Sequence, residues 1–84
     1  MFTGLITAVG EVVAVSTTEA GRELVVASHY TDLTIGESIA CNGACLTVRE
    51  FGAGTFTVGA VVTTLDRTGI GAWTVGTKLN LERA

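Results

Sequence analysis

Proline is absent from this 84-residue chain, and histidine, tryptophan, tyrosine and methionine occur once each. Punctuation therefore falls to eleven glycines. They are set among frequent valine, isoleucine and threonine, which is strand chemistry rather than helix chemistry. One histidine and two cysteines are too few for a zinc site, which takes about four ligands. Basic side chains are also scarce. Arg22, Arg49, Arg67, Lys78 and Arg83 are scattered along the chain against eight acids, for a net charge of −3. With only Phe2, Tyr30, Phe51, Phe56 and Trp73 as aromatics, no basic, base-stacking footprint for nucleic acid exists.

No apolar run approaches the roughly 18 residues of a membrane-spanning helix. No charged segment followed by an apolar one opens the chain as a signal peptide would. These absences predict a soluble, cytoplasmic protein with no nucleic-acid or membrane partner. Catalytic constellations are missing too: no phosphate-cradling loop before a helix, no usefully spaced carboxylate pair and no nucleophile elbow. Gly69-Ile70-Gly71 reads as a turn. His29, in the polar stretch His29-Tyr30-Thr31-Asp32, reads as a solvated loop residue.

What is present points to one small all-β domain covering residues 1–84. A domain of this size buries only about 60–65% of its extended-chain surface, so association with further copies would add stability. Met1-Phe2-Thr3-Gly4 runs directly into the strand-like Leu5-Ile6-Thr7-Ala8-Val9, which marks the N-terminus as a working part of the structure. The pattern predicts strands over 2–15 (bent at Gly10), 22–28, 38–42, 44–51, 55–60 and 78–82. Hairpin loops are expected at 17–21 and 52–54. Thr63-Thr64-Leu65-Asp66 resembles a capped helical start, ended by Gly69 and Gly71, with an irregular loop as the alternative. Six short strands predict a small closed antiparallel barrel, because closure removes exposed edges.

Asn42-Gly43 is the strongest local signal. A type I′ turn needs positive φ at both central residues, which Asn and Gly tolerate best. Counting outward pairs Cys41 with Ala44, Ala40 with Cys45, Ile39 with Leu46 and Ser38 with Thr47. Side chains alternate between faces. Ile39, Cys41, Ala44, Leu46 and Val48 then form a core face, and Ser38, Ala40, Cys45 and Thr47 a small, mildly polar one. The second face is either plain solvent-facing sheet, which residue chemistry alone favours, or a platform for a flat heteroaromatic ring. Cys41 and Cys45 fall on opposite faces, which disfavours a disulfide. Cys45 has no basic neighbour in sequence to activate it as a nucleophile.

Four segments carry a family resemblance: Met1-Phe2-Thr3-Gly4-Leu5-Ile6, the run from Gly36 to Val48, Thr64-Leu65-Asp66-Arg67-Thr68, and the run from Val75 to Ala84. In order and spacing the chain resembles the lumazine-binding barrels of the riboflavin synthase family. The resemblance implies a six-stranded Greek-key barrel with one or two short helical turns. It implies riboflavin or 6,7-dimethyl-8-ribityllumazine as ligand, with no metal and no further cofactor. Ligand contacts map onto Gly4, Leu5 and Ile6, onto Cys45, Leu46 and Thr47, and onto Gly59, Ala60, Val61, Val62, Thr63 and Thr64. Phe2 matches a position important for activity. Ser38 lies near the site, and Ser38 or Cys45 could assist removal of a ring-methyl proton. Family members carry two barrels in tandem, and this chain corresponds to the first. It departs from them at Gly59, where an acid is usual, at Thr63, where a glutamate is frequent, and at Ala44.

Three functions follow. The first is a single barrel that binds riboflavin or its lumazine precursor, as a homo-oligomer with a dimer ahead of a trimer. The second is a riboflavin synthase that dismutates two lumazines by four-carbon transfer where identical barrels meet. The third is a structural barrel without ligand.

Overall fold

The computed structural model describes residues 8–19, 21–61 and 69–83. Its strands are β1 (Ala8–Thr18), β2 (Gly21–Ala27), β3 (Ser38–Cys41), β4 (Ala44–Gly52), β5 (Thr55–Val61) and β6 (Lys78–Arg83). They close in the order β1-β2-β5-β4-β3-β6, with every pairing antiparallel. Strands β3, β4 and β5 are consecutive neighbours, and β6 returns to lie beside β3. That order is a Greek key, so the expected all-β barrel is the one observed.

Period-two alternation fills the interior. Leu24 and Val26, Ile39 and Cys41, Leu46 and Val48, Phe56 and Val58, and Leu79 and Leu81 are five i, i+2 pairs from five strands, all buried. On β1, Ala8 and Val12 flank Gly10. A Cβ on Gly10 would lie 2.8 Å from Leu81 Cδ1 and from Val26 Cγ1, and 2.9 Å from the Ala27 carbonyl oxygen. Glycine there lets β1 sit tightly against its neighbours.

Loop residues complete the core. Leu33, Ile70 and Trp73 are buried in the same cluster. A 3-10 turn, Gly69–Ala72, holds Ile70 in place. It is fastened by Trp73 N donating to Ile70 O at 3.1 Å. The Arg22 guanidinium donates to Ile70 O at 2.5 Å and to Trp73 O at 2.8 Å. Elsewhere Arg83 ties the long β2–β3 connection to β6. It donates to Glu37 Oε2 at 3.1 Å and Asp32 Oδ1 at 2.6 Å, and its guanidinium carbon lies 5.4 Å from the centre of the Tyr30 ring. The Glu37 hydrogen bond is the main reason that the Arg83 pKa is raised beyond its ordinary value.

Strands β2 to β6 begin and end within one residue of the expected bounds. The first strand differs. Its expected residues 2–7 lie outside the described residues, and it continues past Val15 because Thr17 and Thr18 pair with Arg22 and Gly21. The loop expected at 17–21 is accordingly tighter. Gly10, where a bend is expected, keeps its pairing with Leu79, and a register shift falls between Val12 and Ala14, where Val13 is an extra residue opposite β2. The helical start expected at Thr63–Asp66 lies outside the described residues. Gly69 and Gly71, expected to end a helix, form a 3-10 turn themselves, because burying Ile70 and bonding its carbonyl to Arg22 hold that turn together.

Candidate functional site

The turn Asn42-Gly43 has φ of 49° and 86°, positive at both residues. The Asn42 side chain adds a second role: its Oδ1 accepts from Asn80 N at 2.7 Å, while Asn42 N donates to Asn80 O at 2.8 Å. The hairpin is thereby fixed to β6. The observed pairs are Ser38–Thr47, Ile39–Leu46, Ala40–Cys45 and Cys41–Ala44, as counting predicts.

The two faces part as the register requires. Ile39, Cys41, Leu46 and Val48 are interior. On the outer side Cys45 and Thr47 are exposed and Ser38 is half-buried, while Ala40 is covered. The two thiols differ accordingly. Burial, with a smaller contribution from nearby Cys45, pushes the Cys41 thiol from 9.0 up to about 12. Cys41 is therefore a protonated core residue at neutral pH, and Cys45 is the thiol that faces solvent.

The most distinctive feature is where β4 and β5 part. Their ladder runs from Gly52–Thr55 through Phe51–Phe56 and Val48–Val58 to Thr47–Gly59, and its pairing ends there. Yet β4 continues back to Ala44, bonded to β3, and β5 continues to Val61, bonded to β2. Beyond the Thr47–Gly59 pair, Cys45 and Leu46 on β4 and Ala60 and Val61 on β5 form no ladder pair with one another, although each still pairs with β3 or β2. In a strand, such groups are the donors and acceptors that can read the edge of a planar ring. Leu46 and Ala60 point their side chains into the core and pair with Ile39 and Arg22 on the strands to either side, which leaves the main chain of Cys45 and Val61 to border the parting. The exposed outer surface beside the parting is Cys45 and Thr47, with Ser38 at its margin.

Of the residues expected at a site, Ser38, Cys45, Leu46, Thr47, Gly59 and Ala60 are brought together on adjoining strands, with the main chain of Val61 beside them. Phe2, Gly4, Leu5, Ile6, Val62, Thr63 and Thr64 lie outside the described residues. Two features beside these residues were not anticipated. One is a cleft of about 440 Å³ lined by Asn42, Gly43, Ala44, Gly69 and Trp73. It joins residues far apart in sequence, which no local pattern announces. The other is a bulge in β4 between Val48 and Glu50, which leaves Arg49 as an extra residue opposite β5. A signal for this was present. Strict alternation after inward Val48 would turn the Glu50 carboxylate into the core, and an extra residue avoids that.

Among the described residues no group of three or more His, Cys, Asp or Glu side chains could hold a metal ion. Nor is any helix among them long and apolar enough to cross a membrane.

Comparison with known proteins identifies relatives. The family model described as Lumazine binding domain matches residues 3–84. Riboflavin synthase of Saccharomyces cerevisiae is 40% identical over 93 residues, covering 100% of this chain and 39% of that protein. Riboflavin synthase of Bacillus amyloliquefaciens is 38% identical over 86 residues, covering 100% of this chain and 40% of its own length. That of Schizosaccharomyces pombe is 41% identical over 87 residues, covering 100% and 42% respectively. The chain thus spans about two fifths of the length of the curated relatives it matches. With the family match running nearly end to end, the chain belongs to the lumazine binding domain family.

Proposed function

We propose that this barrel binds riboflavin or its precursor 6,7-dimethyl-8-ribityllumazine on its outer face, over the parting of β4 and β5. The observation that carries the reading is the end of the β4–β5 ladder at Thr47–Gly59. There the two strands leave main-chain groups without a β4–β5 ladder partner among the described residues, beside Ser38, Cys45 and Thr47, which bring two hydroxyls and a thiol and no bulk. The ring edge meets backbone donors and acceptors, and the ring plane rests on small side chains. Membership of the lumazine binding domain family and a match to riboflavin synthases along the whole of this chain support the same ligand class. Phe2, the main chain of Gly4 to Ile6, and Val62 to Thr64 complete the site in this proposal. The barrel corresponds to one of the two tandem barrels of such enzymes. It works in the cytoplasm without a metal or further cofactor, as a homo-oligomer, with a dimer preferred to a trimer.

A second reading is favoured by the identity of about 40% to proteins named riboflavin synthase. Two copies meeting face to face would hold two lumazines, and a four-carbon unit would pass from one to the other. Orientation of the two reactants can supply several kcal/mol of such a barrier, with Ser38 or Cys45 assisting proton removal. Titration of the protein with riboflavin tests binding: fluorescence quenching that saturates at one flavin per barrel supports it, and a linear, unquenched response ends it. Incubation with the lumazine tests catalysis. Riboflavin formed faster than in a protein-free control supports the second reading, and an equal rate removes it.

A further inference from the structure

Arg49 differs from the other described basic residues. Arg22 is spent on the carbonyls of Ile70 and Trp73, Lys78 pairs with Glu11, and Arg83 is held by Asp32 and Glu37. Arg49 has a single partner among the described residues, Glu23, at 3.8 Å. Its side chain is 61% exposed and that of Glu23 39%. An ion pair so long and so open to water contributes little, and it leaves most of the guanidinium donors without a partner among the described residues.

Two independent features set Arg49 at the proposed site. The bulge supplies it as the extra residue between Val48 and Glu50, and a bulge redirects a side chain. Gly59, cross-strand partner of Thr47, then makes room for it. A Cβ there would stand 3.1 Å from Arg49 Cδ and 3.2 Å from Arg49 Nη1. The arginine lies directly over the bare backbone of Gly59. One row of outward positions therefore reads Ser38, Thr47, Gly59, Glu23 across four strands, and a weakly held guanidinium covers the glycine.

We infer that Arg49 is a specificity-determining residue for an anionic tail: the site takes a planar heteroaromatic ring whose side chain ends in a phosphate. The inference rests on the binding reading above. A ring over Cys45 and Thr47 sends its substituent along the same strands, and at one end it meets Arg49 above Gly59. Guanidinium matches a phosphate with paired N–H donors, a stronger arrangement than its pairing with Glu23. Glu23 opposes the anion by like charge, so it competes for Arg49 and sets how strong the preference is.

The test compares riboflavin with riboflavin 5′-phosphate by fluorescence titration on the full chain. The wild type is expected to bind the phosphate ester about tenfold or more tighter, the size of one charge-assisted hydrogen-bond pair. Rising salt should narrow that ratio. In Arg49→Gln the ratio is expected to fall to about one, and in Glu23→Gln to rise, since both retain side-chain length. Equal affinities in the wild type, or a ratio unmoved by Arg49→Gln, overturn the inference and leave flavin binding standing. No binding of either compound overturns the binding reading and the inference with it.

Discussion

Cys41 and Cys45, four residues apart, separate into opposite chemical roles. Hairpin register alone does this, since it sends one thiol into the barrel and the other to its surface. The Cys41 pKa of about 12 lies above its ordinary 9.0, so the unfolded chain gives up this proton first. The stability linked to Cys41 is therefore complete below pH 9 and is lost as pH climbs towards 12. Denaturant midpoints measured from about pH 8 to 11 should fall in the wild type. The fall should be shallower in Cys41→Ala by the share of one proton. Parallel curves would mean that Cys41 is not the buried thiol described here. The contrast was legible from Asn42-Gly43 by counting. What was not legible was the position of Arg49 over Gly59: Glu50 announces an extra residue in β4 but not where the Arg49 side chain comes to rest.

Among the elements, the β3–β4 hairpin was the most readable, and the reason is chemical. Positive φ at two successive residues is expensive for most side chains and cheap for Asn-Gly, so the turn fixes the register and the register fixes both faces. Gly43 has φ of 86°, and its absent Cβ would meet nothing within 4 Å. Gly43→Ala is therefore expected to destabilise by about 1 kcal/mol through backbone strain alone, with no packing defect. Thermal or denaturant unfolding measures this, and a neutral or stabilising result would contradict the turn. Strand β1 was less readable. Val12-Val13-Ala14 is apolar throughout, so no polar residue betrays the break in pairing at Val13. The 3-10 turn was hidden for a related reason. Gly69 and Gly71 look like punctuation, and the Ile70 carbonyl is held both by nearby Trp73 N and by Arg22, which is far away in sequence.

At the scale of the whole molecule, closure of the barrel makes the proposed site possible. A closed sheet has no free edge, so a small barrel can offer backbone hydrogen-bonding groups only where two strands separate without leaving their other neighbours. Strands β4 and β5 do this past Thr47–Gly59, each still held by β3 or β2. The fold class and strand number were legible because glycine spacing and period-two alternation repeat along the whole chain. The parting was not, since it is a relation between strands and leaves no mark within either one. Core residues supplied by loops, Leu33, Ile70 and Trp73, were hidden likewise, because no strand periodicity surrounds them. Solvent access to Cys45 reports on this outer face directly. The rate of its alkylation by iodoacetamide, with and without saturating riboflavin, is the most direct measurement of whether the ring lies there. The account predicts a several-fold slower reaction with the flavin present. An unchanged rate would contradict it.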